Sequence, residues 1–473
     1  MSRIMNPRFG DWFWRWTAWG LVCGGMLGSV RTAAGLEAVV EVEEELYRHA
    51  PANNGAGPMW CAGSTCVARV GDVVYASGLE TIEGAKPLNN CRWVLWRRDS
   101  EGWKRLFADA PGRTREPAPL VAPGDGSLLV SGNPTLAPEG REGGGPARPE
   151  IVRFAASAPD PAAAAGAPER WIPEWAGTPR FTEHSYRSFA ADGLRHEWIL
   201  FQNIDYTHAE WVFRDADGKW AGKGRLSWPW GASYAKPQPV RVCYPAVGLR
   251  ERSVHFFGVS DILEPNPDWR AFKKELTGKE WDYDFRRLFY TWTPDVTGET
   301  FRPWVEVASR EATGGWLWPC DLWIEGDGTV QLLWTERAID ERLRARFFPE
   351  AKQSHSLRHA RVQAGKVAGT RVLMESTEDR PSPVATAARF HPMPDGRLVL
   401  FVHVDGAEAG NRVFELKPDA PLGKGTRVPF ARPFTSYFTA SPRAGGRPSD
   451  VVDLLGVRAG TENTISYARV RLR

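Results

Sequence analysis

Phe181-Thr-Glu-His-Ser-Tyr-Arg-Ser-Phe189 reads as a strand, Ala191-Asp-Gly193 as a turn and Glu197-Trp-Ile-Leu-Phe-Gln202 as a second strand. Thr207-His-Ala-Glu-Trp-Val-Phe-Arg214 makes a third, closed by Asp215-Ala-Asp-Gly-Lys-Trp220, whose Asp and Gly suit a tight Asx-type turn. The pattern then repeats. Val240-Arg-Val-Cys-Tyr-Pro-Ala-Val247 is a strand, the chain turns near Gly248 to Glu251, and Ser253-Val-His-Phe-Phe-Gly-Val259 resumes it. Within this stretch His184, His208 and Tyr244 stand near strand starts, the positions from which side chains reach the mouth of a closed repeat fold.

Outward from this pair the same unit recurs. Cys61 to Ser77 turns at Gly71-Asp72, and Arg92-Trp-Val-Leu-Trp-Arg97 leads to the turn Asp99-Ser-Glu-Gly-Trp103. Ala118 to Ser131 bends at Asp125-Gly126, Trp318 to Trp334 at Asp327-Gly328, and Ala385 to Val404 at Asp395-Gly396. Phe434 to Ser441 passes through a Gly-rich turn to Asp450-Val-Val-Asp-Leu-Leu-Gly456 and Thr464 to Leu472. Each unit has a hydrophobic face that only a neighbour can bury, so the units must close into a ring. The expectation is an all-β, seven-bladed β-propeller over 36–473, with Leu36 to Tyr47 adding a strand to the last blade. Two excursions break the pattern: Asp340 to Ser356, with helix formers behind an acidic start, and Pro265 to Asp284. Both are expected on one rim, where they would wall a cleft.

Composition agrees with this class. The 473 residues hold 23 Trp, 47 Gly and 37 Pro, the mix of aromatic strands and punctuated turns expected of an all-β chain. A net charge of +3, without a Lys/Arg block interleaved with aromatics, gives no reason to expect nucleic acid as partner. At the N-terminus, Arg3, Arg8 and Arg15 precede an uncharged run from Trp16 to Val30, and Thr32-Ala-Ala-Gly35 offers a cleavage site, so 1–35 is expected to be a signal peptide. The run is shorter than the ~20 residues that span a bilayer. The mature protein is thus expected to be secreted or periplasmic, monomeric and without a membrane anchor. In an oxidising compartment one disulfide among Cys61, Cys66 and Cys91 is expected.

The Asp-Gly turns, the degenerate Asp-box-like Asp215-Ala-Asp-Gly-Lys-Trp220 and Tyr244-Pro-Ala-Val247 running into an aromatic strand resemble the bacterial-neuraminidase-repeat, sialidase-like propellers. Within that group the order His184, His208, Tyr244-Pro245 is similar to the ulvan lyase propellers. Those lyases carry an arginine on the strand after the tyrosine; here Ser253 to Ser260 has none, and Arg250 and Arg252 lie in the preceding turn. The resemblance implies a polysaccharide or other glycan as ligand and allows a structural calcium, although no dense Asp run marks a loop for one and no other cofactor is expected.

A uronate lyase removes the C5 proton of an acidic sugar, which needs a base, an acid for the leaving oxygen and neutralisation of the adjacent carboxylate. The resemblance implies base and acid roles for Tyr244 and His208, contact with the sugar or its carboxylate for His184, and charge neutralisation by an arginine such as Arg187 or Arg241. A sialidase-like hydrolase would draw on Arg389, Arg443 and Tyr437 instead, and a propeller that only binds glycans or a protein would need no such set. Trp198, Trp211, Trp228, Trp292, Trp318 and Trp334 alternate along strands and read as core, and Arg443 to Arg447 reads as a solvated turn.

Overall fold

The computed structural model describes residues 36–156 and 168–473; the expected leader and most of the alanine-rich tract from Ala155 to Pro168 lie outside the described residues. The Asp-Gly pattern becomes geometry at each turn. Asp125, Asp327 and Asp395 accept from the backbone N–H two residues on, at 2.9, 2.8 and 3.1 Å. The glycine between takes a left-handed φ of 82 to 86° that other residues adopt only with strain.

These turns join the described strands into seven four-stranded sheets. Blade 1 runs from Val67–Val70 to Gly102–Ala108, blade 2 from Leu120–Val121 to Glu169–Trp171 and blade 3 from Arg187–Asp192 to Gly222–Ser227. Blade 4 runs from Val242–Arg250 to Val305–Ser309, blade 5 from Gly314–Ile324 to Lys366–Thr377 and blade 6 from Val384–Pro392 to Thr426–Arg427. Blade 7 takes Phe434–Thr439, Val451–Arg458 and Thr464–Leu472 from the end of the chain. Its outer strand is Ala38–Arg48, antiparallel with Ala38 opposite Leu472, so the two ends of the described chain close the ring. Core clusters lie between blades: Phe201 and Trp211 of blade 3, for example, pack with Phe256 and Phe289 of blade 4.

Three expectations change. The first strand of blade 3 starts at Arg187 rather than Phe181, because side chains claim the preceding backbone: Glu116 accepts from Ser185 N at 2.8 Å and Asn203 from Tyr186 N at 2.5 Å. The helix expected from Asp340 spans only Glu341–Phe347 (α2), since Pro349 follows and Ser354–Gln363 is already the third strand of blade 5. The expected disulfide is absent. Cys61, Cys66 and Cys91 are buried thiols in three different core clusters, so burial in separate interfaces keeps them apart.

In an antiparallel blade the handover to the next blade and the connection between second and third strands share one end of the ring. Helix Pro267–Thr277 (α1) and α2 both occupy such connections, in blades 4 and 5. Asn266 caps α1, accepting from Asp268 N and Trp269 N. Buried Lys273 of α1 pairs with Glu264 at 2.6 Å and Asp282 at 2.5 Å, and Arg342 of α2 reaches Asp282 at 3.2 Å. The two excursions therefore wall the same end.

At the other end the ring axis is plugged by the loop between the first two strands of blade 7, beside a cavity of about 420 Å³ lined by Leu194, Arg250, Trp323 and Arg447. Ala122 N and Ala191 N donate to the carbonyls of Ala444 and Arg443, tying blades 2 and 3 to it. Arg443, expected in a solvated turn, is buried; it pairs with Asp321 of blade 5 at 3.0 Å and donates to Gly63 O at 3.1 Å.

Candidate functional site

At the end that carries α1 and α2, residues just before the inner strands converge from several blades. Trp60 precedes blade 1, Glu116 blade 2, His184 and Tyr186 blade 3, and Arg241 blade 4. Ring centroids place Trp60 4.5 Å from Tyr186, 5.5 Å from His184 and 5.8 Å from Tyr244. Tyr244 in turn lies 4.6 Å from Trp318, which stacks on Trp316 at 5.3 Å. Trp60, His184, Phe285, Trp316 and Trp318 are each partly exposed, so the group forms an aromatic bowl.

His184 is held by a carboxylate. Its Nδ1 lies 2.7 Å from Oε1 of buried Glu116, whose Oε2 accepts from Ser185 N and Oγ at 2.8 and 3.0 Å. A carboxylate surrounded by donors accepts, so Nδ1 carries the proton, and in the neutral imidazole the lone pair is on Nε2. The side chain is about 30% exposed and no protein partner occupies that nitrogen among the described residues.

Tyr244 sits in a bulge between Cys243 and Ala246 with φ +51°, a left-handed conformation that a bulky residue keeps only where its surroundings enforce it. Gly63 packs directly on Pro245 O, where any Cβ would collide with the carbonyl. The Tyr244 and Tyr186 hydroxyls are 3.5 Å apart, and Tyr186 gives its single proton to Asp261 at 2.6 Å. Burial, then the nearby Asp261 carboxylate, pushes the Tyr244 phenol well up, so it stays protonated at neutral pH. Tyr186 is raised by burial as well.

The two expected arginines are enclosed. Arg241 pairs with Asp261 at 2.9 Å and lies under the Tyr206 ring at 3.9 Å. Burial opposes its charge, but Cys243 and Asp261 hold its pKa up. Arg187 is buried and donates to the carbonyls of Ser131 and Pro117, tying blade 3 to blade 2. His208 is not part of the bowl's contacts. It bonds Thr207 Oγ1 at 2.7 Å and Glu210 at 3.0 Å on its own blade, and burial, then Arg225, pushes its pKa down. Arg389, Arg443 and Tyr437 do not form an exposed cluster either: all three are buried and bonded to backbone carbonyls or Asp321.

Of the residues expected from sequence, the structure brings His184 and Tyr244 together, with Trp60, Tyr186, Glu116, Asp261 and Trp318, which the sequence reading did not single out for the site. Among the described residues no group of three or more His, Cys, Asp or Glu is arranged to hold a metal, and no helix is long and apolar enough to cross a membrane.

No family model matches the chain, and no curated protein matches it. Solved structures do. The polysaccharide lyase Uly1 is 13% identical with a TM-score of 0.50, over 93% of this chain and 94% of that one. An ulvan lyase of a new polysaccharide lyase family, bound to GlcA(1-4)Rha3S units, is 8% identical with a TM-score of 0.51, over 91% and 95%. At these identities the likeness is one of fold, and the fold is the seven-bladed propeller.

Proposed function

We propose that this chain is a carbohydrate-active propeller that seats a uronate-containing polysaccharide in the aromatic bowl and cleaves it by β-elimination. One observation carries the reading: His184, with Nε2 left free by Glu116, shares the Trp60 ring with a protonated Tyr244. Polysaccharide lyases occur on this fold, but fold alone does not carry activity, so the reading rests on the site. Export rests on the N-terminal sequence run alone.

In this mechanism the His184 Nε2 lone pair takes the C5 proton. The C5–H electrons form the C4–C5 double bond, the C4–O bond breaks, and the departing oxygen takes the proton of Tyr244 Oη. The phenolate then regains a proton from solvent while His184 loses one. The roles differ from those expected from sequence: Tyr244 is the acid because burial keeps its proton on, and His184 is the base because its second nitrogen is pinned. Aromatic faces hold the sugar's C–H faces.

A second reading, a glycan-binding propeller without turnover, is favoured by the enclosure of Arg187 and Arg241, which leaves neither to neutralise the uronate carboxylate. One assay separates the two. Purified mature protein is incubated with a panel of uronate polysaccharides and the unsaturated product followed by ultraviolet absorbance, with His184→Ala alongside. Product from the wild type and none from the variant supports the lyase. Binding without product on any acidic glycan moves the assignment to the second reading.

A further inference from the structure

Resting on the reading of the bowl as a glycan site, we infer that blade 5 carries an anion-recognising subsite, with Trp316 as its sugar platform and Arg337 as its cation, for a carboxylate or sulfate ester on a pyranose neighbouring the one in the bowl.

The register places the residues. Trp316 is opposite Arg337, Arg337 opposite His355, and His355 opposite Ser376, so one row crosses all four strands of the blade at the bowl end. Adjacent strands are about 4.8 Å apart, which makes the row roughly 14 Å long. All four residues are partly exposed. The row is continuous with the bowl, because Trp316 stacks on Trp318 and Trp318 packs on Tyr244.

Arg337 differs from the other guanidiniums around the bowl. Arg187, Arg241 and Arg286 are spent on carbonyls or buried carboxylates. Arg187 and Arg286 also have an Nε without a hydrogen bond, but their other nitrogens are bonded to carbonyls or carboxylates, whereas Arg337 has neither an ion pair nor a hydrogen bond among the described residues. A guanidinium N–H without a partner is costly, and a bidentate acid supplies what it lacks. The carboxylates nearby in sequence are already committed. Glu336 pairs with Arg310 and with Arg358 at 2.7 Å, on the opposite side of the strand. Glu341 accepts from Gln353 at 2.5 Å and faces Arg344 at 3.6 Å. An anionic sugar substituent is thus the missing partner, and the partly exposed indole of Trp316, paired with Arg337 across the strands, is the surface on which the ring carrying that substituent would lie.

The test is titration calorimetry of sulfated glucuronan oligosaccharides, with carboxyl-reduced and desulfated forms as separate arms. It is run in a His184→Ala background so that nothing is turned over, with Arg337→Gln, Arg337→Lys and Trp316→Ala added. Arg337→Gln is expected to weaken the fully anionic ligand about tenfold or more, without changing the form that lacks the recognised group. The arm on which the loss disappears identifies carboxylate or sulfate. Arg337→Lys is expected to recover part of the loss, and Trp316→Ala to weaken every arm. Equal affinity of Arg337→Gln and its parent for the anionic ligand, with thermal unfolding unchanged, overturns the subsite and leaves the bowl assignment standing. Absence of binding to any arm by the His184→Ala parent overturns both.

Discussion

The two ends of the ring axis leave their polar side chains in opposite conditions. At the closed end Arg443 is buried, paired with Asp321 and bonded to Gly63 O, and its loop ties blades 2 and 3. At the open end His184 keeps one nitrogen free, Tyr244 has only a long contact for its hydroxyl, and Arg337 lacks a partner for its Nε. What distinguishes His184, Tyr244 and Arg337 from Arg443 is a hydrogen-bonding position left without a close protein partner.

The comparison is broken most severely at the closed end. Arg443→Ala leaves the Asp321 carboxylate buried without its counter-ion and is expected to cost about 3–5 kcal/mol of stability. Urea unfolding checks it. Adding Asp321→Asn should return part of that loss by removing the stranded charge. Any fall in activity should follow the unfolded fraction and vanish where the protein is still folded.

Tyr244→Phe tests the reverse combination. It removes the hydroxyl that lies 3.5 Å from Tyr186 and leaves the ring against Trp318 and Trp60. The unfolding midpoint should barely move, whereas kcat for product formation should fall about 10²-fold or more, the contribution of a positioned acid. A large stability loss with little loss of kcat would make Tyr244 a second Arg443.

His255 sharpens the contrast by resembling chemistry at the closed end. Its Nε2 lies 2.9 Å from Ser253 Oγ, an apparent nucleophile and base, yet Ser253 Oγ also donates to Thr293 O at 3.2 Å, and Nδ1 is 2.7 Å from Tyr290 Oη. Every valence is filled. Burial pushes its pKa down to about 3, below the ordinary value near 6.5 that it regains on unfolding. The unfolded chain binds that proton first, so the stability from a neutral His255 is intact above about pH 6.5 and drains away as the pH falls toward 3. At pH 4.5 the loss should reach about 2–3 kcal/mol. His255→Gln should flatten this limb of the stability profile without changing product formation.

The fold was legible because its signals are local: an aspartate and a glycine two bonds from a strand make a turn wherever they occur, and the alternating strands between them expose a face that must be covered. His184 and Tyr244 were legible because one precedes and the other begins an apolar inner strand. Their partners were not, because a propeller assembles its mouth from residues far apart in sequence; Glu116 is 68 residues from His184, and Asp261 is 75 from Tyr186. The arginines misled for a related reason. Nothing adjacent to Arg187 or Arg443 in sequence indicates that carbonyls of another blade will surround them, as Pro117 O and Gly63 O do. Trp318 alternates as a core residue should, but within the Gly314–Ile324 inner strand it packs on Tyr244 and stays partly exposed.

His208 is the smallest of the effects and the clearest measure of this limit. It starts the third strand of blade 3, at the same end of the ring as the bowl, so its height along the axis is right and its radius is wrong. Cα pairing sets it against Ser227 of the outermost strand, and its ring nitrogens bond Thr207 and Glu210. His208→Ala removes one donor partner from Glu210, which keeps Arg225 at 3.2 Å, so the expected cost is about 1 kcal/mol of stability. Product formation should stay within about threefold of the parent, the scatter expected of a site away from the chemistry. A loss as large as that of Tyr244→Phe, with the protein folded, would mean that substrate reaches across blade 3 to its third strand, and that the bowl extends outward beyond Tyr206.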